Sequence, residues 1–201
     1  MAAIRKRGDE VVAHGRTNAE NLRGMWRPDE ERILREVTET IKKNEKIAPA
    51  GWMGSGAYET ANTLDLLKEL GYRYVMDWPM DDQPVWLRTR AGPLLSVPYP
   101  IEHNDSQVVI HRKQDAADFC DMVVDQFDEM AEQCERHPLV MNVSVHTYVF
   151  GQPFRLRRLR NALRHCLQHP KAARVWWTRP RDVADFCYAL PPGIVPGSHK
   201  P

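Results

Sequence analysis

"LLKELGYRYVMDWPMDDQP", residues 66–84, decides the fold. Leu64, Leu67 and Leu70 recur on one helical face, and Gly71 closes that run as glycine does at helix ends. "YRYVMDW" then reads as a strand, and a polar turn begins at Asp77 and Trp78. A helix, a glycine stop, a strand and a polar loop make the repeating step of an α/β chain.

The same step recurs on both sides. Upstream, "EVVAH" (10–14) predicts a short strand ending in the Gly15 loop, and "RPDEERILREVTETIKK" (27–43) predicts an amphipathic helix opened by Pro28 and three acids. "KIAPAGW" (46–52) predicts a strand running into the Gly-rich loop "GWMGSGAYET". Downstream, "LRTRAGPLLSVPY" (87–99) predicts a hairpin turning at Ala91-Gly92-Pro93. Helices are expected over 116–134, 154–169 and 179–190, and strands at "LVMNVSVH" (139–146) and "ARVWW" (173–177). The pattern predicts a mainly parallel sheet or barrel, in one domain over 1–190 with a loose tail over 191–201.

Composition narrows the function. The 28 basic and 27 acidic residues nearly cancel, which disfavours nucleic acid and anionic membranes as partners. No apolar run reaches the ~20 residues of a membrane span, and "MAAIRKRGDE" lacks a secretory apolar segment, so a cytoplasmic location is expected. Cys120, Cys134, Cys166 and Cys187 form no C-x-x-C pair and read as small core residues in a reducing compartment. There is no G-x-G-x-x-G, P-loop or G-x-S-x-G motif, which disfavours nucleotide chemistry.

In parallel α/β folds the working residues gather at the C-terminal ends of the strands. His14, Trp52, Asp77 with Trp78, and His146 each end a predicted strand. Histidine and carboxylate serve as acid, base or oxyanion stabiliser, and tryptophan walls a planar or ring-shaped ligand. Each residue has an equally ordinary use in packing. Three loops add candidates with the same ambiguity. "DWPMDDQP" (77–84) holds Asp81 and Asp82, "PYPIEHNDS" (98–106) holds Glu102, His103, Asn104 and Asp105, and "HTYVFGQPFRLRRLR" (146–160) holds Arg155, the arginine expected to turn inward.

Together "HGRTNAE", "PAGW", "LLKELGYRYVMDWPMDDQP", "LLSVPYPIEHND", "DQFDEM", "VHTYVFGQPFR" and "VWWTRPRDVAD" resemble the polysaccharide deacetylase superfamily, in its cytoplasmic, allantoinase-like branch. The resemblance implies an irregular (β/α) barrel of the deacetylase type that lacks its first βα unit or units. It also implies hydrolysis of a non-peptide C–N bond, either an N-acetyl group on a sugar or a ureide-type amide. By the same resemblance His14 stands where the family has its first metal-binding histidine, and Asn18 stands in place of the second. That substitution points to chemistry without a metal or other cofactor. His146 matches the histidine with an acid role, and Asp77 the aspartate-tryptophan segment that supports the site.

The expected catalytic set is therefore His14, His146 and Asp77. Asn18, Trp52, Trp78, Asp82, Asn104 and Arg155 are expected to shape the substrate pocket. The family's opening strand and its catalytic aspartate have no counterpart in the sequence, which motivates a second reading: a non-catalytic sugar- or ureide-binding protein on the same fold. The expected partner is a small-molecule or saccharide substrate. An unpaired sheet edge adds self-association, as a homo-oligomer, to the expectations.

Overall fold

A computed structural model describes residues 2–198. Its elements run in the order α1 (Ala2–Arg7), α2 (Arg27–Glu45), β1 (Gly51–Trp52), α3 (Thr63–Glu69), β2 (Tyr74–Val75), β3 (Val85–Thr89), β4 (Gly92–Ser96), α4 (Ala116–Gln133), α5 (Thr147–Phe150), α6 (Pro153–Gln168) and α7 (Pro180–Ala189). Two compact units contain them: residues up to Val97 together with those from Thr178, and Pro98–Trp177.

The first unit is built on a four-stranded sheet of order β1-β2-β4-β3. β1, β2 and β4 are parallel, and β3 joins β4 as the antiparallel arm of the predicted hairpin. Gly51 faces Tyr74, and Trp52 faces Val75, which faces Ser96. The Gly51 pairing requires glycine, because a Cβ there would overlap the Tyr74 ring. Helices α2 and α3 supply Ile33, Leu34, Val37, Leu66 and Leu67 to a core shared with Ala13, Trp52, Tyr72, Val75 and Leu94. Trp52 meets Tyr72 edge to face at 6.0 Å, and the Tyr72 hydroxyl bonds the Thr38 hydroxyl at 2.9 Å. The α3 helix ends at Gly71, which takes φ +90°, a conformation glycine adopts without penalty.

The second unit has a separate core. Val108, Phe119, Val123, Phe127, Val149, Leu159 and Cys166 pack together, with Phe119 and Phe150 rings 5.1 Å apart. Cys120 and Cys166 are buried in this core, Cys134 is partly buried, and Cys187 is buried in the first unit; all four are free thiols.

Four local expectations differ from the structure. The strand expected at 10–14 is a single parallel bridge between Ala13 and Trp52, and the one at 139–146 is a single bridge from Ser144 to Asn104. "ARVWW" forms no strand: Ala172–Arg174 make a short 3-10 turn, and Trp176 and Trp177 are exposed. Residues 106–111, to which the sequence reading gave no element, wind into a short π-helix. The described part of the segment expected to be a loose tail is tied down, for Pro196 O accepts the Trp86 N–H at 2.8 Å and Val195 is buried. Residues 199–201 lie outside the described residues.

Candidate functional site

Sheet register builds the first cluster. Ala13 N–H donates to Gly51 O at 3.0 Å, and Ala13 O accepts from Met53 N at 2.9 Å. With the Trp52–Val75 pairing, this sets Ala13, Trp52 and Val75 side by side. The residues just beyond, His14, Met53 with Gly54, and Met76 with Asp77, therefore leave neighbouring chains in the same direction.

His14 is exposed and held at both ring nitrogens. Nδ1 bonds the Met53 carbonyl, which can only accept, so Nδ1 carries the proton. Nε2 lies 3.1 Å from Asn18 Oδ1; with the proton on Nδ1 both atoms are acceptors, so the contact becomes a hydrogen bond when the Asn18 amide is turned to present its NH2 group. Ser55 Oγ donates to Asn18 O at 3.0 Å and fixes that loop. The expected neighbours His14 and Asn18 are thus joined to each other and, through Met53, to the end of β1.

Asp77 is buried, and its Oδ1 accepts the Gly54 N–H at 2.7 Å. Trp78 is 41% exposed, and its indole Nε1–H donates to Glu59 Oε2 at 2.8 Å. Glu59 is the residue that sequence reasoning missed. It comes from the Gly-rich loop after β1, where a turn over Ser55–Ala57 with Gly56 at φ +69° brings the chain round. Burial, and next to it the Asp77 charge, pushes the Glu59 carboxyl up to about 8. Burial raises Asp77 as well, while the Gly54 N–H, neighbouring Glu59 and the His14 ring oppose the rise. Trp52 is wholly buried and its Nε1 has no hydrogen-bond partner, so it underlies the cluster rather than walling an open pocket.

The second cluster lies in the second unit. The Asn104–Ser144 bridge aligns the loop before the π-helix with the segment leading to His146. Asp105, wholly buried, accepts the His146 ring at Nδ1 (2.6 Å) with one oxygen and the His146 backbone N–H (2.8 Å) with the other. An aspartate bonded to Nδ1 sets the tautomer and leaves Nε2 as the exchangeable nitrogen. Asp105 was legible only as one member of an acidic loop, and the signal that singles it out is its pairing partner 41 residues on.

The remaining expected residues have local engagements. Asn104 spends its amide on Ser106 and on the Tyr99 hydroxyl, at 2.9 and 3.1 Å. Arg155 does turn inward, but onto the Val149 carbonyl at 3.1 Å, where it closes α5. Asp82 is half-buried in the loop between β2 and β3, with its own N–H bonded to Asp81 Oδ1 at 2.7 Å.

A resident metal does not fit these donors. His14 offers one ring nitrogen beside a neutral amide, and among the described residues no three His, Cys, Asp or Glu side chains group as a metal site. Among the same residues no helix is long and apolar enough to cross a membrane.

Solved structures share this fold. The Puue allantoinase superposes with a TM-score of 0.84 at 25% identity, over 94% of this chain and 62% of its own. A protein described as a polysaccharide deacetylase from Pseudomonas aeruginosa gives 0.79 at 25% identity, over 92% and 61%. Another, from Mycobacterium smegmatis, gives 0.79 at 20% identity, over 99% and 68%. The chain thus spans about three-fifths of the length of the first two. No protein-family model and no curated protein sequence matches it.

Proposed function

We propose that the chain, which shares its fold with an allantoinase and with proteins described as polysaccharide deacetylases, serves hydrolysis of a non-peptide C–N bond without a resident metal. The substrate class is an N-acetylated sugar or a ureide-type amide. The observation that carries this reading is the shared register that delivers His14, Gly54 and Asp77 to one rim of the parallel strands.

In this reading water adds to the substrate carbonyl, the C–N bond breaks, and the leaving nitrogen takes a proton. His14, fixed by the Met53 carbonyl, and Asn18 hydrogen-bond substrate or water, and Trp78 offers a flat exposed face. In the second unit Asp105 holds the His146 Nδ1–H and leaves Nε2 as the nitrogen that can exchange a proton, which suits the acid role that the family resemblance gives this histidine.

The test is a panel of N-acetylated oligosaccharides and linear and cyclic ureides, assayed for acetate, ammonia and ring opening with and without chelator. Turnover that survives the chelator and is lost in His146→Ala supports the reading. Saturable calorimetric binding without turnover replaces it with a sugar- or ureide-binding protein. Neither turnover nor binding across the panel removes both.

A further inference from the structure

We infer that Glu59 and Asp77 form a carboxyl pair sharing one proton, with Glu59 donating to Asp77 Oδ2, and that Glu59 is thereby a positioning residue for the site. Its role in turnover rests on the hydrolase reading above; the proton sharing does not.

Glu59 Oε2 is committed to the Trp78 indole N–H, and Asp77 Oδ1 to the Gly54 N–H. The other two oxygens, Glu59 Oε1 and Asp77 Oδ2, are both buried and both lack a hydrogen-bond donor. Ionised carboxylates only accept, and the Asp77 charge acts on Glu59, so the pair is unfavourable until one carboxyl carries a proton. A single proton between them satisfies both at once, as in other carboxyl dyads.

The surroundings decide which one holds it. Asp77 receives a backbone N–H and faces His14 and the Trp52 indole, all of which favour its charged form. Glu59 faces Asp77 and also buried Glu30, both of which disfavour a second charge. Gly54 leaves no slack: a Cβ there would come within 3.0 Å of Asp77 Oδ2 and 3.1 Å of Trp52 Nε1. Asp77 is therefore kept ionised and immobile, clamped between the Gly54 N–H and the Glu59 O–H.

The test uses carboxyl-13C-labelled protein without substrate, titrated from pH 5 to 10 by NMR. One glutamate carboxyl is expected to titrate near pH 8, to vanish in Glu59→Gln, and to move the Trp78 indole resonance with the same midpoint. If every glutamate titrates below pH 6, the shared proton is disproved, whatever the enzyme assay gives. On the best substrate of the panel, or on calorimetric binding where nothing turns over, wild type should fall off above about pH 8. Glu59→Ala should lose ~10–100-fold, the scale of a lost supporting hydrogen bond. Glu59→Gln, whose amide still donates but cannot ionise, should recover most of that loss and abolish the alkaline fall. A Gln variant as poor as Ala, or one that keeps the alkaline fall, overturns the positioning role while leaving the hydrolase reading intact.

Discussion

Asp105 embraces His146 twice, one oxygen on the ring and the other on the backbone N–H, at 2.6 and 2.8 Å. The aspartate is wholly buried, so both bonds are shielded from water. A buried charged acceptor with two partners contributes more than an ordinary hydrogen bond. Asp105→Ala is expected to cost about 3 kcal/mol in urea unfolding, since hydrogen bonds to charged groups contribute roughly 1.5–3 kcal/mol each and two are lost. Nitrogen-15 NMR of the ring should show the Nδ1–H tautomer in wild type and a mixture of tautomers in the variant.

Glu30 lies wholly inside the first unit, in the first turn of α2, and accepts the hydroxyls of Thr60 (2.6 Å) and Thr63. It ties α2 to the start of α3. Thr63→Val removes one donor and leaves the buried oxygen short, with an expected loss of about 1–3 kcal/mol. Thr63→Ser keeps the hydroxyl and should stay within about 1 kcal/mol of wild type by the same measurement.

The Gly51 and Tyr74 pairing predicts a steric mutant and its rescue. Gly51→Ala places a methyl group inside the Tyr74 ring position and should cost at least 1–3 kcal/mol by thermal or chemical unfolding. Adding Tyr74→Leu vacates that space, so the double variant should be less destabilised than the sum of the two single changes. Simple additivity would place the strain elsewhere.

Proton sharing at Glu59 has a signature in stability. Its folded value is raised, so between about pH 4.5 and 8 the folded protein keeps a proton that the unfolded chain has lost. That contribution is fully present below the unfolded value and is lost as pH rises through the folded one. The melting temperature should therefore decline across this window by several degrees more in wild type than in Glu59→Gln. Equal slopes would place the proton on another group.

The helices were legible because their information is local. Leucine and isoleucine spacing, Pro28 at the start of α2 and Gly71 after α3 act within a few residues, and the structure places those elements as expected. The hairpin followed from Ala91-Gly92 for the same reason. Strands depend on a partner that periodicity cannot report. "VVAH" has the apolar pattern, yet Ala13 pairs at one point only. "ARVWW" has the aromatic and β-branched content of a strand, but Trp177 uses its face to stack on Phe127 at 6.1 Å.

The site divides along the same line. His14, Asn18, Asp77 and Trp78 stand at or after strand ends, where chain position alone selects them. Glu59 and Asp105 come from loops, and their significance lies in what the register sets opposite them. A lone acid in the otherwise uncharged stretch "GWMGSGAYET" was the available hint.

The bond from Trp86 N–H to Pro196 O has a practical consequence for handling the protein. β3 is the outermost strand of its sheet, and an outermost strand recruits other chains through its unused amides. Here the chain's own last described turn acts as a built-in cover, with Gly197 pressed so close to the Trp86 backbone that no larger residue fits. Trimming back to the end of α7 is expected to uncover that edge and to raise self-association, read by light scattering against the full chain. Affinity tags are accordingly better carried at the other terminus.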